Sequence, residues 1–218
     1  ELPAAAARLH LMGTGALFWF GPTQDYTDSA RNTAGMDQGG FSLPDRDYYL
    51  QDAFAEQRAG YAEHLRRVFG LLGDAPALAA AEAETVLKVE TAQARAAMDR
   101  VARREPAYVH HKMTLPALVE LAPSFNWKEY LAGAGAPAFE SLDVSDPAFF
   151  KGLEAALNSF TVEEWKTVLR WDAVHGAVDM LPAAFVAEDF DFFGRQLKGQ
   201  AELKARWKRC VSMADSGL

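Results

Sequence analysis

From Gln51 almost to Met213, apolar side chains recur at the three- and four-residue steps of an α-helix. Glycine, proline and small polar residues cut that pattern into successive helices. Stripes of this kind must be buried against one another, which restricts the chain to a mainly α, multi-helix architecture. Phe54, Tyr61, Leu65, Val68 and Leu72 share one helical face, and Gly73 stands where a C-terminal cap belongs. Leu87, Thr91, Ala94, Met98 and Val101 mark the apolar face of a long alanine-rich helix expected over residues 76–104. Glu84–Lys88 and Asp99–Arg103 are its four-apart charge pairs. Thr114 caps a helix that reaches Leu121, and Asn126 starts another through Leu131. Asp146-Pro147 opens a further helix, and Thr161 with Glu164 forms a capping box ahead of Trp165, Val168, Leu169 and Ala173. Helices over residues 183–193 and 201–213 complete the pattern.

The first fifty residues differ in texture. Residues 4–12 form a short helix, and Gly13 and Gly15 release the chain into residues 16–20, an aromatic strand stopped by Gly21-Pro22. Asp25, Asp28, Ser29 and Asn32 make a polar turn, and residues 33–38 return as a second strand. The expectation is a small antiparallel β-hairpin in region 13–40, followed by a helical region 48–213, in a single unit over 1–218. Residues 139–144 form a strand or an extended connector.

Charge and cysteine narrow the function. Twenty-two lysines and arginines stand against 30 acidic residues, a net charge of -8 that argues against a nucleic-acid partner. No apolar run has the ~18–20 residues of a membrane span. Cys210 alone makes neither an internal disulfide nor a thiolate zinc site, and despite neighbouring Arg206, Lys208 and Arg209 it is expected to be a buried structural residue. None of the five histidines has a second histidine four residues away, and His175, near Trp171 and Asp172, is expected to be partly buried and hydrogen-bonded. There is no nucleophile elbow, phosphate loop or dinucleotide fingerprint. No catalytic and no metal-binding residue is therefore assigned. Phe190, Phe192, Phe193 and Trp207 are expected as core anchors. In the run Leu43-Pro44-Asp45-Arg46-Asp47-Tyr48-Tyr49, Arg46 can pair with both flanking carboxylates and fix the loop, while Asp47 caps the following helix. The alternative is that Arg46 reaches a substrate carboxylate.

The stretch from Asp37 to Tyr49 resembles a signature of the neprilysin and endothelin-converting-enzyme family of zinc metallopeptidases, which includes bacterial oligoendopeptidase O. Its usual Gly-Leu-Gly-Leu-Pro-x-Arg-Asp-Tyr-Tyr becomes Gly40-Phe41-Ser42-Leu43-Pro44-Asp45-Arg46-Asp47-Tyr48-Tyr49 here, with Phe41-Ser42 in place of Leu-Gly. Lys112-Met113-Thr114 resembles the family's Tyr-Asn-Lys-Met-Thr, with His110-His111 where Tyr-Asn is common. Trp165, Leu169 and Arg170, then Phe190-Asp191-Phe192, Leu197 and Gly199, then Arg206-Trp207-Lys208-Arg209-Cys210, follow in the family's order.

The resemblance implies part of the helical N-terminal domain that caps a substrate cavity, in an enzyme that hydrolyses peptide bonds of small peptides. Leu43, Pro44, Arg46, Asp47, Tyr48, Tyr49, Arg206, Trp207 and Cys210 would be its structural motif, with Arg46 the candidate cavity residue. The family's His-Glu-x-x-His motif is absent from this sequence. Zinc would belong to the parent enzyme and not to this segment, which alone is expected to be inactive and cut from a longer chain. Its partners would be the catalytic domain of the same polypeptide and peptide substrates, in a periplasmic or secreted location, with a cytoplasmic one as alternative. The rival reading is a free-standing, non-catalytic helical module that binds peptides or proteins.

Overall fold

The computed structural model describes residues 1–216. In chain order these form α1 (Leu2–Leu11), β1 (Phe18–Asp25), β2 (Asp28–Gln38), α2 (Asp47–Leu50), α3 (Ala55–Leu71), α4 (Pro76–Ala96), β3 (His111–Thr114), α5 (Leu115–Leu121), α6 (Trp127–Gly133), β4 (Ser141–Val144), α7 (Pro147–Ser159), α8 (Val162–Gly176), α9 (Ala183–Asp189) and α10 (Arg206–Ser216). The chain is mainly α, as its periodicity requires.

Contacts divide it into two compact units. The first comprises residues 1–54 and 85–176. It holds a four-stranded sheet in the order β1-β2-β4-β3, wider than the expected hairpin. β1 and β2 are antiparallel from Phe18↔Gln38 to Gln24↔Asn32. The turn is tighter than expected, because Asp25 Oδ1 accepts from both the N–H and the hydroxyl of Thr27. Asp28, Ser29 and Asn32 therefore belong to β2. β4 joins β2 in parallel (Ala34↔Leu142 to Met36↔Val144) and β3 pairs with β4 antiparallel.

Phe18, at the start of β1, is the hub of this unit's aromatic core. Its ring centroid lies between 5.0 and 5.8 Å from those of Phe125, Trp127, Tyr130 and Phe150. Helix α1 packs on α6 and α8, and α5 on α7 and β3. The expected caps form: Thr114 accepts from the Ala117 N–H, Asn126 from that of Glu129, Asp146 from those of Ala148 and Phe149, and Thr161 exchanges bonds with Glu164.

Helix α4 departs from the expectation at its end and on its face. It stops at Ala96 instead of running to residue 104, because the Met98 N–H turns to Gln38 Oε1 (2.8 Å) and Asp146 Oδ2 (3.0 Å). Its buried positions include Ala83, Val86, Val89, Glu90, Gln93 and Ala94, while Val101 is exposed. The expected pairs also dissolve: Lys88 reaches Glu164 at 3.0 Å, Arg103 pairs with Asp37, and Asp99 accepts from the N–H groups of Val101 and Ala102.

The second unit comprises residues 55–84 and those from 177 on. Here α3 buries Tyr61, His64, Leu65, Val68 and Phe69. Tyr61 and His64 lie against Phe192 and Phe193. These phenylalanines stand on a π-helical continuation of α9, Phe190–Gln196. Trp207 and Cys210 correct the expectation. Trp207 is 66% exposed and Cys210 is an exposed free thiol, because α10 turns the face that carries them to solvent.

Candidate functional site

The segment 37–49 is anchored from beneath by buried polar groups of the first unit. Gly40 has φ +71°, and a Cβ there would lie 2.7 Å from both Cα and the carbonyl oxygen of Leu17, itself at φ 62°. Gln93 Nε2 donates to that same Leu17 carbonyl. The Tyr49 hydroxyl accepts from the N–H groups of Ser42 (3.0 Å) and Leu43 (2.9 Å) and donates to Glu90 Oε2 (2.8 Å). Ser42 Oγ donates to Glu90 Oε1 (2.8 Å) and accepts from Trp171 Nε1 (3.0 Å). Burial first, and the charge of Glu90 second, push the Tyr49 hydroxyl well above the usual phenol range, so it remains a donor. The same two causes push the Asp172 carboxyl well above its ordinary value.

The sequence-derived motif residues divide by environment. Leu43 and Tyr49 are buried, Pro44 is exposed, and Tyr48 stacks on Phe54 at 4.2 Å. Arg46 does not bridge its two neighbours: its Nη1 donates to the Ala97 carbonyl (2.6 Å). Asp47 is the first residue of α2 rather than its cap. The Asp45 carboxylate accepts the Asp47 N–H, since a side chain two residues ahead reaches it without strain. Arg206 is exposed beside Trp207 on α10.

Sequence reasoning passed over a cleft of about 850 Å³ in the first unit, lined among others by His10, Phe20, Pro22, Lys112, Phe139 and Ser141. Its lining combines the apolar Leu11, Phe20, Pro22 and Phe139 with an ion pair between Lys112 Nζ and Asp25 Oδ2 (2.8 Å). The hydrogen bonds from Lys112 and Thr27 hold the Asp25 carboxyl well below the usual range. His10 Nε2 faces the Ala16 carbonyl at 2.7 Å and must donate there, so Nδ1 accepts from the Tyr130 hydroxyl. Burial lowers the His10 pKa, which favours this neutral tautomer. Nearby, Asp143 accepts from His110 Nδ1 (2.6 Å) and from the His111 N–H, and the Tyr26 ring stacks on His110. Lys112 belongs to the Lys-Met-Thr motif, a signal that could have marked this wall; His10 carried none.

The arrangement can bind and orient a ligand, with apolar side chains and fixed polar groups in one lining. Among the described residues no three His, Cys, Asp or Glu side chains are grouped to hold a metal ion. The converging donors that zinc requires are not met there, and no step through zinc is assigned to a residue of this chain.

The model of the N-terminal part of peptidase family M13 matches residues 1–218. The chain belongs to peptidase family M13. As an M13 N-terminal domain of the neprilysin-like zinc metallopeptidases, it is similar to endothelin-converting enzyme 1 of Cavia porcellus. The two are 28% identical over 200 residues, 89% of this chain and 26% of that protein. Neprilysin-3 of Drosophila melanogaster is 28% identical over 209 residues, 90% of this chain and 26% of that protein. The zinc metalloprotease Zmp1 of Mycobacterium tuberculosis, solved with an inhibitor, superposes with a TM-score of 0.93 at 32% identity. The match covers 98% of this chain and 33% of that one. PepO of Lactobacillus rhamnosis shares the fold at a TM-score of 0.78 and 15% identity, over 99% of this chain and 34% of that one. The M13 chain thus spans between about a quarter and a third of the length of these relatives. Among the described residues no helix is long and apolar enough to cross a membrane.

Proposed function

We propose that this chain forms one wall of the substrate chamber of a zinc metalloendopeptidase that hydrolyses small peptides. The zinc, and the groups that activate water, reside on further polypeptide of the same protein. The carrying observation is the family match over residues 1–218 together with the close fold match to a zinc metalloprotease. The cleft beside β1 supports the reading: its apolar side chains and its Lys112–Asp25 pair suit a peptide, which carries both apolar and polar groups. Within this reading the 37–49 segment positions β1 and β2 against α4, and Arg46 is the cavity residue to test. By excluding water and bulky chains, such a wall raises selectivity without touching the reacting bond.

The test compares the 218-residue chain with a polypeptide extended to the relatives' length, both assayed on a quenched fluorescent peptide. The extended protein should cleave it, lose activity with a chelator and regain it with zinc, while the 218-residue chain should do nothing. Zinc-dependent cleavage by the short chain, or its absence from the extended one, refutes the reading.

A further inference from the structure

Helix α10 presents a surface that nothing described so far uses. At 100° per residue, Trp207, Cys210, Val211 and Ala214 fall on one stripe, with Lys208, Arg209, Ser212, the half-buried Met213 and Asp215 around the rest. That stripe faces solvent: Trp207 is 66% exposed and Val211 60%, and Cys210 and Ala214 are exposed too. Within its unit, an ion pair between Arg209 Nη1 and Asp179 Oδ1 at 3.0 Å ties the helix down by its polar side. An 11-residue helix is marginal in water by itself, and helices of this length are stabilised mainly by burying an apolar face. Here the face is present and bare.

Resting on the function proposed above, we infer that this stripe is the seam on which polypeptide of the same protein from outside residues 1–218 docks, with Trp207 as its anchor. Two observations select that occupant over a second copy or a foreign protein. In the similar proteins the matched segment is only 26–34% of the chain, so most of the polypeptide lies outside it. A tethered segment also meets the stripe at an effective concentration no free partner matches. Tryptophan and arginine are moreover enriched at interface hot spots, and the exposed Arg206 adjoins Trp207 here.

The experiment reads the contribution of Trp207 alone, as the difference in fluorescence between wild type and W207F, since the chain has five tryptophans. In the 218-residue chain this contribution should be red-shifted and readily quenched by acrylamide. In the extended polypeptide it should shift to the blue and lose most of its quenching. Equal quenching in both proteins overturns the seam. So does shielding in the short chain that grows with concentration, which would identify a second copy as the occupant. A companion variant, Val211→Glu, should lower the melting temperature of the extended polypeptide and leave that of the short chain unchanged. An equal drop in both means a role within the unit itself and sinks the proposal. Zinc-dependent cleavage measured on the same samples separates the two readings. Cleavage with an exposed Trp207 defeats the seam alone, and a shielded Trp207 without cleavage defeats the peptidase reading alone.

Discussion

Gly40 stands where two unusual backbone conformations meet. Its positive φ is easy only for glycine, and an added Cβ would strike the backbone of Leu17, which cannot swing away as a side chain could. Gly40→Ala should therefore cost more than about 2 kcal/mol, visible as a lower urea midpoint with unchanged slope. Asp172 makes a pH-dependent counterpart. Its folded pKa lies above the unfolded value of 3.8, so the native state holds the proton more tightly than the unfolded chain does. Its contribution to stability is undiminished below that value and falls as pH rises towards the folded pKa. Asp172→Asn should thus melt like wild type near the acid end and increasingly above it as pH rises, in a series of thermal melts. A constant difference at all pH values would refute this account. At this scale the sequence was half legible. The glycine pair and Tyr49 stood out in the motif, but Glu90 and Gln93 did not, because helical patterning assigns polar positions to the solvent side. Ser42 and Tyr49 on Glu90, and the Leu17 carbonyl on Gln93, all distant in sequence, help make their burial tolerable.

Among the elements, helix starts were more legible than helix stops. Caps lie within three residues of the groups they satisfy, so Asp146-Pro147 and Thr161-x-x-Glu164 announce themselves. The end of α4 is set instead by Gln38 and Asp146, about 60 and 50 residues away, which no local pattern contains. Asp146 works at both places: Oδ1 caps α7 and Oδ2 receives the Met98 N–H. Asp146→Ala should cost more than an ordinary cap, about 2 kcal/mol or above. Hydrogen exchange should report faster opening both at residues 148–149 and at residue 98, whereas a change confined to α7 would limit Asp146 to capping. Strands β3 and β4 have four residues each, too few for alternation to separate them from connectors. The carboxyl of Glu164, lowered to about 2 chiefly by the Thr161 N–H, adds stability above its unfolded pKa that is lost as pH falls towards that lowered value.

For the whole molecule, the fold class followed from periodicity and the family from five collinear motifs, and the match over residues 1–218 settles the latter. The cleft beside β1 was not legible, since its lining comes from α1, β1, β2, β3 and residues 134–141 and takes shape only in three dimensions. If that cleft is a chamber wall, Phe139→Ala in the extended enzyme should raise KM for its peptide while leaving kcat within about twofold, because uniform binding is what such a wall supplies. A fall in kcat alone would place Phe139 elsewhere in the cycle. The order of the sheet carries a last consequence. β2 and β4 sit side by side although more than a hundred residues separate them in the chain. During synthesis the hairpin leaves the ribosome early, and β2 must then wait with one flank open until β4 emerges. Nascent chains should be most vulnerable to sticking together, and most dependent on chaperones, in that interval.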